Sequence, residues 1–117
     1  MNLDTIREYA LKKKAVTECQ PFGDDTPVYK VIDKVFMLMN IEAPVQVNLK
    51  CDPELAIELR ERYDSVLPGY HMNKTHWNTV AIDNTIPPKE IFKMIDDSYD
   101  LIVSAFPKKK MEEYNKY

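Results

Sequence analysis

The spacing of apolar positions changes several times along the chain, and each change marks an element. Over "LDTIREYALKKK" the residues Leu3, Ile6, Tyr9 and Ala10 recur at three- and four-residue steps, which predicts a first helix. Its lysines gather at the C-terminal end, where the helix dipole favours cations. "TECQPFGDDTP" has no period, and Pro21, Gly23 and Pro27 predict a loop. Two strands, "VYKVI" and "VFMLM", then flank Asp33-Lys34, which reads as a two-residue turn. In "VQVNLKC" strict alternation sends Val45, Val47, Leu49 and Cys51 to one face of a sheet and Gln46, Asn48 and Lys50 to the other. Such a strand belongs to a sheet covered on one side and open on the other.

"DPELAIELRERY" predicts a second helix, with Asp52 as N-cap and Pro53 at the first helical position. Leu55, Ala56, Leu59 and Tyr63 form its apolar stripe, and Glu58 and Arg62 pair on the wet side. In "PPKEIFKMIDDSYDLIVSAF" the residues Ile91, Phe92, Ile95, Tyr99, Ile102 and Phe106 step along one face. This is the principal core helix, started by Pro87-Pro88 and stopped by Pro107. Val45, Val47 and Leu49 are expected to pack beneath it. "KKKMEEYNKY" reads as a polar tail, frayed or a short extra helix.

Two more strands come from "GYHMNKTHWNTV", Gly69 to Val80, which holds both histidines and the single tryptophan. A tight hairpin with Asn73-Lys74 at its tip pairs His71 with His76 and Tyr70 with Trp77. Four readings follow for this stretch. Two facing imidazoles leave a tetrahedral metal site half filled, so no metal is expected. Catalysis needs a partner oriented by a histidine, and Ser65, Ser98 and Cys51 are the available groups without any spacing to recommend them. In the structural reading, His76 is in step with Val80 and Ile82 and packs at the margin of the covered face. In the binding reading, Lys74 and Trp77 join Lys50 and Asn48 on the open face, and the alternative for Trp77 is simply to shield the sheet.

The element order is therefore α-β-β-β-α-β-β-α. It defines an α+β two-layer sandwich, an antiparallel sheet with helices on one face. One domain is expected over residues 1–107, followed by the basic tail at 108–117. The 44% hydrophobic and 30% charged content is that of an ordinary globular chain and excludes a disordered one. No apolar run reaches the roughly 20 residues of a membrane span, and the charged start lacks the apolar block of a secretory signal, so cytoplasmic residence is the expectation. Cys19 and Cys51 are too few for a disulfide framework. The net charge of −3 argues against broad affinity for nucleic acid, yet segregated lysines still build a basic face on an acidic protein.

Several separated motifs together resemble the MmcQ/YjbR family of small bacterial proteins over nearly the full length. They are "PFG" at Pro21–Gly23, "PVYKVIDKVF" at Pro27–Phe36, "VNLKCDPE" at Val47–Glu54, "PGYHMNKTHWNTV" at Pro68–Val80 and "SYDLIV" at Ser98–Val103. The resemblance implies an α-β(3)-α-β(2)-α fold like that of type III secretion chaperones. It also implies a predicted DNA-binding role, and no enzymatic activity is expected. The candidate site is then Lys30, Lys34, Lys50, Asn73, Lys74, His76 and Trp77, with no cofactor and no metal. Expected partners are DNA, held weakly and in a salt-dependent way, or a protein or peptide, with no membrane. The expected state is a monomer or weak homodimer.

Overall fold

A computed structural model describes residues 1–70 and 72–117. The elements run α1 Leu3–Leu11, β1 Val16–Cys19, β2 Val28–Val31, β3 Lys34–Asn40, β4 Gln46–Lys50, α2 Pro53–Arg62, β5 Val66–Pro68, β6 Trp77–Ala81, α3 Pro88–Ser104 and α4 Lys108–Tyr114. The six strands form one antiparallel sheet in the order β1-β2-β3-β4-β6-β5. The helices pack on one face, around a core that includes Ile6, Tyr29, Phe36, Met37, Val47, Leu49, Ala56, Val80, Ile95 and Tyr99. Among the described residues no helix is long and apolar enough to cross a membrane.

The alternation of β4 fixes the layers as expected. Val47 and Leu49 are buried in the core with Ile95 and Tyr99, while Gln46, Asn48 and Lys50 point to the other side. Val45 lies just before the strand, half-buried, where its carbonyl accepts from the Ile82 N–H at 3.0 Å. α2 begins as read: the Asp52 side chain accepts from the Leu55 N–H at 3.2 Å, with Pro53 inside the first turn.

Two expectations need correction. First, Val16–Cys19 is not loop but an edge strand against β2. It is only four residues long, and the cluster of Pro21, Gly23 and Pro27 just beyond masks its Val-Thr signal. Second, the turn between β2 and β3 is Ile32–Asp33 rather than Asp33-Lys34, since Val31 pairs with Lys34. Ile32 takes the turn's positive φ of 60°, a conformation that a sequence reading assigns to Gly or Asn. Of the two forms expected for the C-terminal segment, the short extra helix is the one observed, α4, and it packs on the fold. Tyr114 lies edge-on to Phe106, its hydroxyl meets that of Tyr99 at 2.9 Å, and Lys110 pairs with Asp33.

The β2–β3 ladder shifts register between Tyr29 and Lys30, so both Phe36 and Met37 turn toward the helices. β3 and β4 pair regularly up to Met37 and Leu49. Where Phe36 and Lys50 come next, the Ser98 hydroxyl stands between them. It accepts from the Lys50 N–H at 2.9 Å and donates to the Phe36 carbonyl at 2.5 Å.

Candidate functional site

Strand register decides which side chains share the open face. Val28 pairs with Leu38, Leu38 with Asn48, Asn48 with Thr79, and Thr79 with Leu67. This row crosses the sheet, and opposite residues share a face. One two-residue step along, Lys30 faces Val35 and Lys50 faces Trp77. In the other direction, Asn40, Gln46 and Ala81 form a third row. Among the six strands the single carboxylate is Glu18, which pairs with core residue Tyr29 and so belongs to the helix side. The open face of the strands therefore carries Lys30 and Lys50 with no carboxylate.

Of the predicted site residues, the structure brings Lys30, Lys50 and Trp77 together on this face. Lys34 is separated from them, because it pairs with Val31, a core residue beneath the helices. Trp77 is only 9% exposed. It shields the sheet and offers no free ring face, which removes it as a stacking platform. Lys74 is exposed on the β5–β6 loop, with its ammonium 5.3 Å from the Tyr70 ring centroid.

The tight hairpin is not formed. Pro68 pairs with Asn78 and the Gly69 N–H donates to the Trp77 carbonyl at 2.8 Å, so the register is one residue away from the expected one. Asn73 is the cause. Its side-chain oxygen accepts from the N–H groups of Thr75 and His76 at 2.9 and 3.1 Å, and its carbonyl accepts from the Trp77 N–H at 2.9 Å. One helical turn is thereby built into the loop, which needs more than two residues. His76 is exposed rather than packed at the covered margin. His71, and the His71–His76 pairing, lie outside the described residues. Among the described residues no three His, Cys, Asp or Glu side chains gather as a metal site would require.

Arg60 of α2, which the sequence did not single out, holds this loop in place. Its guanidinium donates to the Asn78 side chain at 2.7 Å, to the Trp77 carbonyl at 3.3 Å and to the Lys74 carbonyl. Gly69 lets the two chains meet, since a Cβ there would stand 2.7 Å from both the Cβ and the carbonyl oxygen of Trp77.

Two loops converge over the sheet centre and leave a cleft of about 260 Å³ between them. Leu38, Asn40 and Asn48 form its floor, Phe22 and Thr26 one wall and Met72 the other. Phe22 is 72% exposed. Asn48 is 0% exposed; its Oδ1 accepts from the Thr79 hydroxyl at 2.6 Å, and among the described residues its Nδ2 has no partner. An unmade buried donor costs about 1–3 kcal/mol, so this floor position calls for a hydrogen-bond acceptor.

The nucleophilic candidates read from the sequence are committed elsewhere. Burial pushes the Cys51 thiol up to about 11, away from the reactive thiolate. The Ser65 hydroxyl is shared between Asp83 and Thr85, and that of Ser98 between Phe36 and Lys50.

These features define a two-layer α+β domain with a lysine-bearing sheet face opposite the helices, its centre covered by two loops. The chain belongs to the YjbR family, whose family model, described as YjbR, matches residues 11–101. It is 36% identical over 107 residues to YbdF of Escherichia coli O157:H7, covering 91% of this chain and 88% of that one. It is 32% identical over 111 residues to YjbR of Escherichia coli K12, covering 94% of each. Among solved structures, Deinococcus radiodurans DR2400, with a DUF419 domain, superposes at a TM-score of 0.89 with 35% identity, over 97% of this chain and 88% of that one. A Pseudomonas syringae protein superposes at 0.76 with 31% identity, over 86% and 98%.

Proposed function

We propose that this protein is a non-enzymatic binding module that takes nucleic acid on the open face of its sheet. The observation that carries the reading is the placement of Lys30 and Lys50 on a strand surface without a carboxylate, with Lys74 exposed on an adjoining loop. Among the described residues none of the three lies in an ion pair; on the helix side Lys13, Lys93 and Lys110 are each bound to an aspartate, while Lys34, Lys108 and Lys109 are likewise unpaired among the described residues. Cations without partners release counterions on meeting phosphate, and this drives association even when net charge is negative. The commitment of Cys51, Ser65 and Ser98 to structural roles supports the non-enzymatic part.

Fluorescence anisotropy of a labelled oligonucleotide at several salt concentrations tests this. Three phosphate contacts at about 0.7 each on a single strand give a log–log slope near −2. The Lys30→Ala/Lys50→Ala pair should bring it to about −0.7. Absence of binding at low salt overturns the reading. A peptide ligand is the second reading, favoured by Phe22, Leu67, Tyr70 and Met72, large apolar side chains exposed on or beside the same face.

A further inference from the structure

The cleft over Asn48 fits neither of the simplest uses of such a face. A flat basic surface for duplex DNA needs no concavity, and a strand-pairing groove needs a sheet edge, whereas this cleft sits at the sheet centre, over β3 and β4. At about 260 Å³ it lies below the usual range for a drug-sized ligand or whole cofactor. It has room for one flat group. That group meets an aromatic ring on one wall, the thioether of Met72 on the other, and the carboxamides of Asn40 and Asn48 in the floor.

The Asn48 carboxamide has a defined polarity. Because the Thr79 hydroxyl occupies Oδ1, what Asn48 has left is the donor Nδ2. The floor thus asks for a carbonyl-type acceptor. The surroundings ask for an anion close by. Lys50 lies two residues from Asn48, about 7 Å along the strand, and Lys30, two strands over in the row of Lys50, is about 12 Å away on the diagonal. Of the two carboxylates between Phe22 and Thr26, Asp24 lines the hollow it shares with Arg7 and Glu18, and Asp25 is exposed beside Thr26.

Flat ring, carbonyl acceptor and an anionic group within about 12 Å describe one nucleotide of a single strand. We infer that the cleft formed by Phe22, Met72 and Asn48 receives one unpaired base, held by stacking on Phe22 and, once the loops over the sheet shift enough to uncover the fully buried Asn48, by a hydrogen bond from its Nδ2 to a base carbonyl, while Lys50 and Lys30 hold the flanking phosphates. In a duplex the base faces are stacked and closed to such a cleft, so the site selects single strands. Asn48 offers two N–H donors and no free acceptor, which favours thymine, uracil or guanine, with their carbonyl edges, over adenine, which places an amino donor beside its acceptor; the second floor carboxamide, Asn40, offers both donor and acceptor and sets no preference. The inference rests on the nucleic-acid reading proposed above and deepens it.

The test compares three labelled strands of equal length and charge by anisotropy at low salt: oligothymidylate, oligoadenylate and an abasic phosphodiester chain. Stacking one base is expected to make oligothymidylate bind roughly tenfold more tightly than the abasic chain. Phe22→Ala, which truncates an exposed side chain and leaves the core untouched, should remove that difference while keeping the abasic affinity. Asn48→Ala, once its melting temperature shows it folded, should mainly remove the preference over oligoadenylate. Equal binding of oligothymidylate and the abasic chain overturns the cleft and leaves the lysine face standing. Failure of all three strands to bind overturns both, and acidic-peptide binding that Phe22→Ala abolishes then assigns the cleft to a peptide.

Discussion

The Lys50 backbone N–H donates to the Ser98 hydroxyl at 2.9 Å, and through it the long core helix α3 is joined to the strand that carries an open-face lysine. The same hydroxyl donates to the Phe36 carbonyl, beside the bulge that interrupts the β2–β3 ladder. One buried side chain thus satisfies two backbone groups that would otherwise pair with each other. Ser98→Ala leaves both without a partner, at about 1–3 kcal/mol for each buried group. The expected loss is about 2 kcal/mol, or roughly 8 °C in melting temperature for a chain of this size. Calorimetry giving an unchanged transition would contradict this account of the bulge.

Arg60 and the β5–β6 loop make a second case. Its planar fork reaches the Asn78 side chain and two carbonyls together, a geometry that a lysine ammonium does not reproduce. Arg60→Lys should lower stability by about 1–2 kcal/mol. It should also speed amide hydrogen exchange at Thr75, His76 and Trp77 more than in the core strands. Uniform exchange across the protein would show that Arg60 does not specifically hold the loop.

Lys34 and Trp77 separate the structure's view of the binding face from that of the sequence. Lys34→Ala should leave oligonucleotide affinity and its salt slope unchanged, because that residue stands on the helix side of the sheet. Trp77→Ala should be costly for folding, about 3–5 kcal/mol, since the ring is nearly buried. A Trp77→Ala protein with native stability and reduced binding would restore the stacking role that its burial denies.

Glu18 gives the fold an acid limb. Hydrogen bonds from the Arg7 guanidinium, and then from the Tyr29 hydroxyl, hold its carboxyl below the ordinary value of 4.5, against the opposing effect of burial. A carboxylate depressed in the folded state contributes stability that is full above its unfolded value. That contribution fades as pH falls through the lower folded value. Glu18→Gln should therefore be less stable than wild type near neutrality, with the gap closing below about pH 4. Urea midpoints at pH 7 and pH 3.5 measure it; a gap that persists at the lower pH would mean the ion pair is not its source.

Most of the fold was legible because burial imposes a period. Alternation in β4 and the apolar stripe of α3 each required one covered face, and register and layering followed. Edge strand β1 was not legible, because four half-buried residues beside a Pro-Gly cluster carry too little pattern. The hairpin was misjudged for a different reason. Asn73 was read as a residue tolerant of positive φ, but it acts through its side chain, capping a turn that lengthens the loop. Half of the site was visible as lysines in sequence motifs. The cleft was not, because Leu38, Asn40 and Asn48 become neighbours only through the β3–β4 register, and Phe22 and Met72 reach them from loops fifty residues apart.

The central claim, that the open sheet face is the ligand surface and Asn48 its floor, is tested most directly by a nitrogen–proton NMR titration with unlabelled oligothymidylate. The side-chain amide resonances of Asn48 should move most, together with the backbone amides of Phe22, Leu38, Lys50 and Met72. The α3 and α4 amides around Lys93 and Lys108–Lys110 should stay in place. Shifts confined to those helices, or a titration that leaves the Asn48 side chain unmoved while other residues saturate, would contradict the account.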